Sequence, residues 1–262
     1  MPVPRKKEQV VIYPTEDEVA LQLATHVTYF SDKTIAEKGS FSVVLSGGTL
    51  IHSLRKLTES PLKETVEWSK WLIFWVDERV VPLTDPQSNY ALALKGFLSK
   101  VPIPKQNIYP IHYTPSSEVV AKDYELRLRK LVAEKVLPLS CTGFPQFDLI
   151  LLGVGPDGHV ASLFPNRPQR HDKIDWVTFI NDAPKPPPKR ITFTFPVINS
   201  AKYIAMVVTD KAEADAVYIT LEHKPHLPPL PCSEVKAQVN LSWFLNWDAA
   251  SKLPVTVTPT RK

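Results

Sequence analysis

Short apolar runs alternating with amphipathic segments constrain this chain more than any other feature. Residues 9–13, 41–45, 71–76 and 147–152 are apolar stretches of strand length, rich in Val, Ile, Phe and Trp. Thr15-Glu-Asp-Glu18 follows the first run and has the form of a capping box, which predicts a helix over 15–38. Helical patterns are also expected over 50–57, 88–99, 118–136, 211–221 and 233–245. Further strands are expected over 176–180, 190–195 and 203–208. Strands alternating with helices imply βαβ units, hence an α/β fold with a mostly parallel sheet flanked by helices. Trp71-Leu-Ile-Phe-Trp-Val76 is apolar on both faces, as expected of a central parallel strand. No linker or internal repeat divides the sequence. A single domain over 1–253 is expected, with 254–262 a loose tail.

Glycine is scarce and proline abundant: 8 Gly against 26 Pro in 262 residues. Five of the eight glycines fall in two motifs, Gly47-Gly48 and Gly153-Val-Gly-Pro-Asp-Gly158. A chain that otherwise avoids glycine uses it where the backbone needs positive φ or must approach a ligand closely. Both motifs follow predicted strands. Asp77-Glu-Arg79 follows a third. In open α/β sheets ligands bind beyond the carboxyl ends of strands, so these three segments are expected to converge on one crevice.

Each motif admits a specific and an ordinary reading. Ser46-Gly-Gly-Thr49 reads as an anion-binding βα turn or as a plain tight turn. Arg79 reads as a fork for phosphate oxygens or as an internal partner of Asp77 or Glu78. Asn89 reads first as a helix-start residue and second as a site residue. Gly153, Gly155 and Gly158 spell G-x-G-x-x-G. However, Pro165 stops any helix within about two turns, whereas a dinucleotide turn needs a long one. The side chains on offer are instead Asp157 and His159. Glycines there let a substrate approach, and imidazole titrates near neutral pH, so His159 is the candidate acid–base group. No H-x-x-x-H or H-x-H spacing occurs, and no metal is expected. Arg190 and Lys211 are either further anion ligands or solvated charges.

The totals exclude other classes. With 31 Lys+Arg against 27 Asp+Glu, the net charge of +4 is mild, and no dense basic stripe marks a nucleic-acid binder. No apolar run approaches the ~18 residues of a membrane span. Cys141 and Cys232 form no C-x-x-C. Residues 1–8 lack an apolar signal region, and Ser251-Lys-Leu253 is internal, so the cytosol is the expected compartment. The expected partner is a small anionic molecule, without nucleic acid or membrane. The sequence sets no oligomeric state and is compatible with a monomer.

The segments Leu45-Ser-Gly-Gly-Thr49, Trp75-Val-Asp-Glu-Arg-Val-Val-Pro82, Ser88-Asn-Tyr90, Gly153 through Pro165, Arg190-Ile-Thr-Phe-Thr194 and Lys211-Ala-Glu-Ala214 resemble, in order, those of the 6-phosphogluconolactonases, plant branch. The likeness covers roughly residues 9–250. The related glucosamine-6-phosphate deaminases carry Asp-Glu-Tyr where this chain has Asp77-Glu-Arg79. Two departures from the family are Thr49 in place of Ser and a shortened loop before Lys211. The resemblance implies a Rossmann-like sheet shared with those deaminases and with ribose-5-phosphate isomerases, and no cofactor. It also implies hydrolysis of 6-phospho-D-glucono-1,5-lactone to 6-phospho-D-gluconate in the oxidative pentose phosphate pathway. His159 would act as base, with Asp157 orienting it. Ser46, Gly47, Gly48, Thr49, Asp77, Arg79, Asn89, Gly155, Gly158, Arg190 and Lys211 would hold the substrate and its phosphate.

Overall fold

The structure, a computed structural model, describes residues 7–222 and 227–254. The expected tail at 254–262 falls almost entirely outside the described residues. The chain begins with β1 (Lys7–Tyr13), α1 (Glu16–Lys38), β2 (Phe41–Leu45), α2 (Thr49–Ser53), α3 (Leu62–Thr65), β3 (Trp71–Trp75) and β4 (Asp77–Arg79). It continues with α4 (Asn89–Gly96), α5 (Ser117–Ala133), β5 (Leu149–Leu152), β6 (Val177–Ile180) and β7 (Arg190–Phe193). It closes with α6 (Phe195–Asn199), β8 (Tyr203–Val208), α7 (Ala214–Leu221) and β9 (Asn240–Asn246).

Six strands form a parallel sheet in the order β1-β9-β8-β5-β2-β3. Period-2 alternation sends successive side chains to opposite faces. In β5, Ile150 and Leu152 enter the core shared with α5, while Leu149 and Leu151 enter the core shared with α1. These four side chains are fully buried, so truncating one to alanine removes about 2–5 kcal/mol. The capping box at Thr15 and Glu18 is present, and Gly39 ends α1 at φ 81°.

The strand order reverses between β2 and β5. From β2 the chain proceeds to β3 on one side; from β5 it proceeds to β8 on the other. The loops leaving these two neighbours therefore diverge and open a crevice at the carboxyl edge. A second sheet walls that crevice. At Val76 the chain leaves the main sheet: its N–H donates to Leu45, and its carbonyl accepts from Phe193 of β7. The next three residues form β4, antiparallel to β7, which pairs in turn with β6.

Two expectations are corrected. Residues 233–245 are not a helix: a short 3-10 turn at Pro231–Glu234 leads to β9, which lies between β1 and β8. Asn240-Leu-Ser-Trp-Phe-Leu-Asn246 is buried on both faces, and such a run has no strand periodicity to betray it. Likewise β3 is not central but ends the sheet. Its two faces are covered by the two cores, and its free edge is met by Tyr109, whose N–H donates to the Ile73 carbonyl at 2.9 Å. Apolarity on both faces reports covering layers, not lateral position.

Candidate active site

The three glycine- or charge-bearing segments do converge. One open cleft of about 550 Å³, solvent mouth included, is lined by Ser46, Gly47, Gly48, Thr49, Asp77, Arg79, Gly155, His159 and Arg190, joined by Gly153, Val154 and Ala161.

The β2–α2 turn is tied to its neighbour by Ser46, whose hydroxyl donates to the Leu151 carbonyl at 2.8 Å. That hydroxyl proton is therefore committed to the protein, and the turn offers a ligand its backbone and Thr49. Gly47 is required by crowding, because a Cβ there would lie 1.9 Å from Asn89 Oδ1. Gly48 takes φ 66°, which favours glycine.

Asn89 is not in the cleft wall but behind it. Its Nδ2 donates to the Asp77 carbonyl at 2.9 Å and to Oδ1 of Asp77 at 3.3 Å. The other carboxylate oxygen of Asp77 accepts from Ser162 Oγ at 2.7 Å. Glu78 points away from the cleft and caps α4. It accepts from the N–H groups of Arg79 and Asn89, each at 2.7 Å, from Tyr90 N–H at 2.8 Å and from Ser88 Oγ at 3.1 Å. Burial pushes its carboxyl up to about 7, against the downward pull of those three N–H donors.

Arg79 and Arg190 are directly opposed across the β4–β7 pair. Like charges opposed across strands repel, and among the described residues neither forms an ion pair. Instead, backbone carbonyls fix them. Arg79 Nη1 donates to Gln87 at 2.8 Å; Arg190 donates through Nε to Pro187 at 3.0 Å and through Nη2 to Lys185 at 2.8 Å. Burial lowers the Arg190 guanidinium, nearby Asp77 supports its charge, and Arg79 opposes it. Two guanidinium groups held this way have the donor geometry and charge that suit an anion.

Different in chemistry is His159, which lines the same cleft. Its turn is closed by Gly155 N–H donating to the His159 carbonyl at 2.9 Å and by Gly158 N–H donating to Gly155 at 2.8 Å. A Cβ on Gly155 would lie 2.1 Å from His159 Nδ1. Nδ1 itself lies 2.5 Å from Asp157 Oδ1. Burial works to raise the Asp157 carboxyl, but the hydrogen bond and charge of His159 outweigh it and hold the group below the ordinary carboxylate range. An ionised carboxylate only accepts, so the proton is assigned to Nδ1, and the lone pair to Nε2.

Four expected residues do not line the cleft. Asp157 acts through the His159 ring, and Asn89 through Asp77 and Gly47. Gly158 faces the other way, and Lys211 is exposed on a single 3-10 turn beyond β8. Ser162, buried between Asp77 and Arg190, was not singled out from the sequence. Its Oγ accepts from Arg190 Nη1 at 3.4 Å. A serine in a loop carries no signal of its own. Only the convergence of β4, β7 and the 153–165 segment reveals it.

The family model for glucosamine-6-phosphate isomerases/6-phosphogluconolactonase matches residues 14–243. Probable 6-phosphogluconolactonase 5 of Arabidopsis thaliana is 51% identical over 252 residues, covering 94% of this chain and 99% of that protein. The chloroplastic 6-phosphogluconolactonase 3 of the same plant is 50% identical over 249 residues, 95% of this chain and 76% of that protein. Among solved structures, the 6-phosphogluconolactonase of Thermotoga maritima superposes with a TM-score of 0.76 at 29% identity, covering 91% of this chain and all of that one. Among the described residues no helix is long and apolar enough to cross a membrane. A parallel sheet with its switch point between β2 and β5, and an opposed arginine pair in one cleft with a histidine held from behind by Asp157, thus accompany a match over most of the sequence: the chain belongs to the glucosamine-6-phosphate isomerase/6-phosphogluconolactonase family.

Proposed function

We propose that this chain hydrolyses 6-phospho-D-glucono-1,5-lactone to 6-phospho-D-gluconate, as a 6-phosphogluconolactonase of the oxidative pentose phosphate pathway. The observation that carries the reading is one cleft lined by two arginines, neither in an ion pair among the described residues, and by an imidazole oriented by Asp157. The names of the relatives support the substrate.

The phosphate binds Arg79 and Arg190 together with the N–H groups of the Gly47–Thr49 turn. Its binding energy holds the ester carbonyl near His159. Nε2 of neutral His159 takes a proton from water as the water oxygen bonds to the carbonyl carbon. The tetrahedral intermediate collapses by breaking the bond to the ring oxygen, which takes the proton from the imidazolium. Asp157 keeps the ring in the tautomer with Nε2 free and supports the imidazolium. Asp77, held by Asn89 and Ser162, presents its carboxylate to the sugar hydroxyls. Lys211, off the cleft wall, adds only distant charge.

The decisive experiment is hydrolysis of freshly generated lactone, read against its spontaneous opening. Rapid turnover by the wild type, lost in folded His159→Ala, is expected. Turnover that survives the substitution keeps the activity and removes the base. Wild-type turnover no faster than background overturns the reading, and conversion of glucosamine 6-phosphate would then identify the deaminase alternative. The cytosol is proposed as the compartment, and fractionation checks it against the chloroplast named for some relatives.

A further inference from the structure

Gly158 faces away from the cleft. It takes φ 77°, and a Cβ built on it would lie 2.8 Å from both Cβ and Cδ1 of Leu230. Its carbonyl accepts from the Cys232 N–H at 2.9 Å. The turn that carries His159 on its cleft side therefore rests its back on residues 230–232.

That strap is itself fixed from outside the turn. Arg170 is buried; its Nη2 donates to the Pro229 carbonyl at 2.6 Å, and its Nε is ion-paired with Glu234. The Leu230 carbonyl accepts from Ser233 through both N–H, at 3.0 Å, and Oγ, at 2.6 Å. Cys232 Sγ lies 3.0 Å from Thr220 Oγ1 of α7. By contrast, Pro156 and Asp157 at the tip of the turn are exposed, so the tip gains no support from packing.

We propose that Leu230, clamped in place by Arg170 and Glu234, is a positioning residue that sets the aim of the His159–Asp157 pair through Gly158. Leu230 does not line the cleft. The small glycine lets the leucine approach the backbone closely, so a displacement of Leu230 passes directly to the residue before His159. Positioning matters on this scale, because a shift of about 1 Å in a catalytic group can cost about 10²-fold in rate. The inference rests on the reading of His159 as the base.

The test uses the full chain with Leu230→Ala and Leu230→Met. Two readouts are taken: kcat and KM on the lactone, and the proton NMR resonance of the His159 Nδ1–H, identified by its absence in His159→Ala. Leu230→Ala should lower kcat about tenfold or more with KM changed less than about twofold, because the arginines that hold phosphate stand on other strands. The resonance should shift or broaden in Leu230→Ala, and Leu230→Met should restore both. Wild-type kcat and resonance in Leu230→Ala overturn the proposal; so do a rise of KM in step with the kcat loss and a failure of methionine to rescue. If Leu230→Ala does not fold, Glu234→Gln loosens the clamp from outside the turn, and unchanged readouts there overturn it equally. A wild type without lactonase activity would sink the proposed function, while the resonance series would still decide the positioning.

Discussion

The two edges of the parallel sheet handle charge in opposite ways. At the amino edge, Asp148 precedes β5 and is fully buried. Two lysines close on it, Lys38 at 2.7 Å and Lys202 at 3.5 Å, and Ser42 donates through N–H at 2.9 Å and Oγ at 2.7 Å. At the carboxyl edge, two arginines form no ion pair among the described residues, and Asp77 is held by the neutral side chains of Ser162 and Asn89. One edge satisfies its charges internally and so stabilises the fold. The other fixes two cations side by side through backbone carbonyls, with Asp77 supporting Arg190 but no ion pair on either among the described residues. The same layout of strands thus yields buried ion pairs at one end and, at the other, the cleft proposed to bind phosphate.

Substitutions that neutralise each edge separate these roles. The largest effect is expected from His159→Ala, which should lower kcat by about 10²–10⁴ while the melting temperature stays near wild type. Steady-state kinetics beside thermal unfolding checks both halves.

Asp148→Ala should do the reverse. Removing one member of a buried pair costs about 3–5 kcal/mol, here nearer 3 because Lys38 and Lys202 are partly exposed and can reach water. The melting temperature should fall by roughly 6–12 °C, with activity per folded molecule retained. A comparable loss of kcat in well-folded Asp148→Ala would break the contrast between the edges.

Arg79→Gln sharpens it. Loss of a charge-assisted bond to phosphate should raise KM about 10–100-fold. Stability should be unchanged or slightly higher, because the opposed Arg190 loses a like-charged neighbour. Marked destabilisation would show that the pair is structural after all.

The smallest effect concerns pH and Glu78. Its folded-state pKa of about 7 lies above the ordinary carboxyl value, so the folded state holds the proton more tightly than the unfolded chain. Stability should therefore decline as pH rises from about 4.5 to 7 and level off above that. Glu78→Gln should flatten this slope while lowering stability by about 1–2 kcal/mol, since its amide nitrogen would confront N–H donors. Asp157 has the opposite sign: its contribution is present above the ordinary carboxylate range and lost as pH falls through its lowered value. Asp157→Asn should remove that contribution and lower kcat, because an amide no longer fixes the His159 ring with its lone pair on Nε2; kinetics beside thermal unfolding checks both.

The sequence by itself determined the class of fold, because local chemistry writes strands and turns directly. The runs at 9–13, 41–45 and 147–152 became β1, β2 and β5, and the capping box became the start of α1. It also determined most of the cleft, since the scarce glycines at 47–48 and 153–158 mark the turns that border it, where at Gly47, Gly48, Gly155 and Gly158 positive φ or close packing excludes a Cβ. Lateral order, however, is a property of pairing between strands, not of any one strand. Hence β3 read as central yet ends the sheet, and β9, buried on both faces, read as a helix. The tertiary structure alone brought Arg190 opposite Arg79, set Ser162 against Asp77, left Lys211 outside the cleft and put Leu230 behind Gly158. Each of these depends on contacts between segments tens of residues apart, and periodicity and spacing carry no record of such contacts.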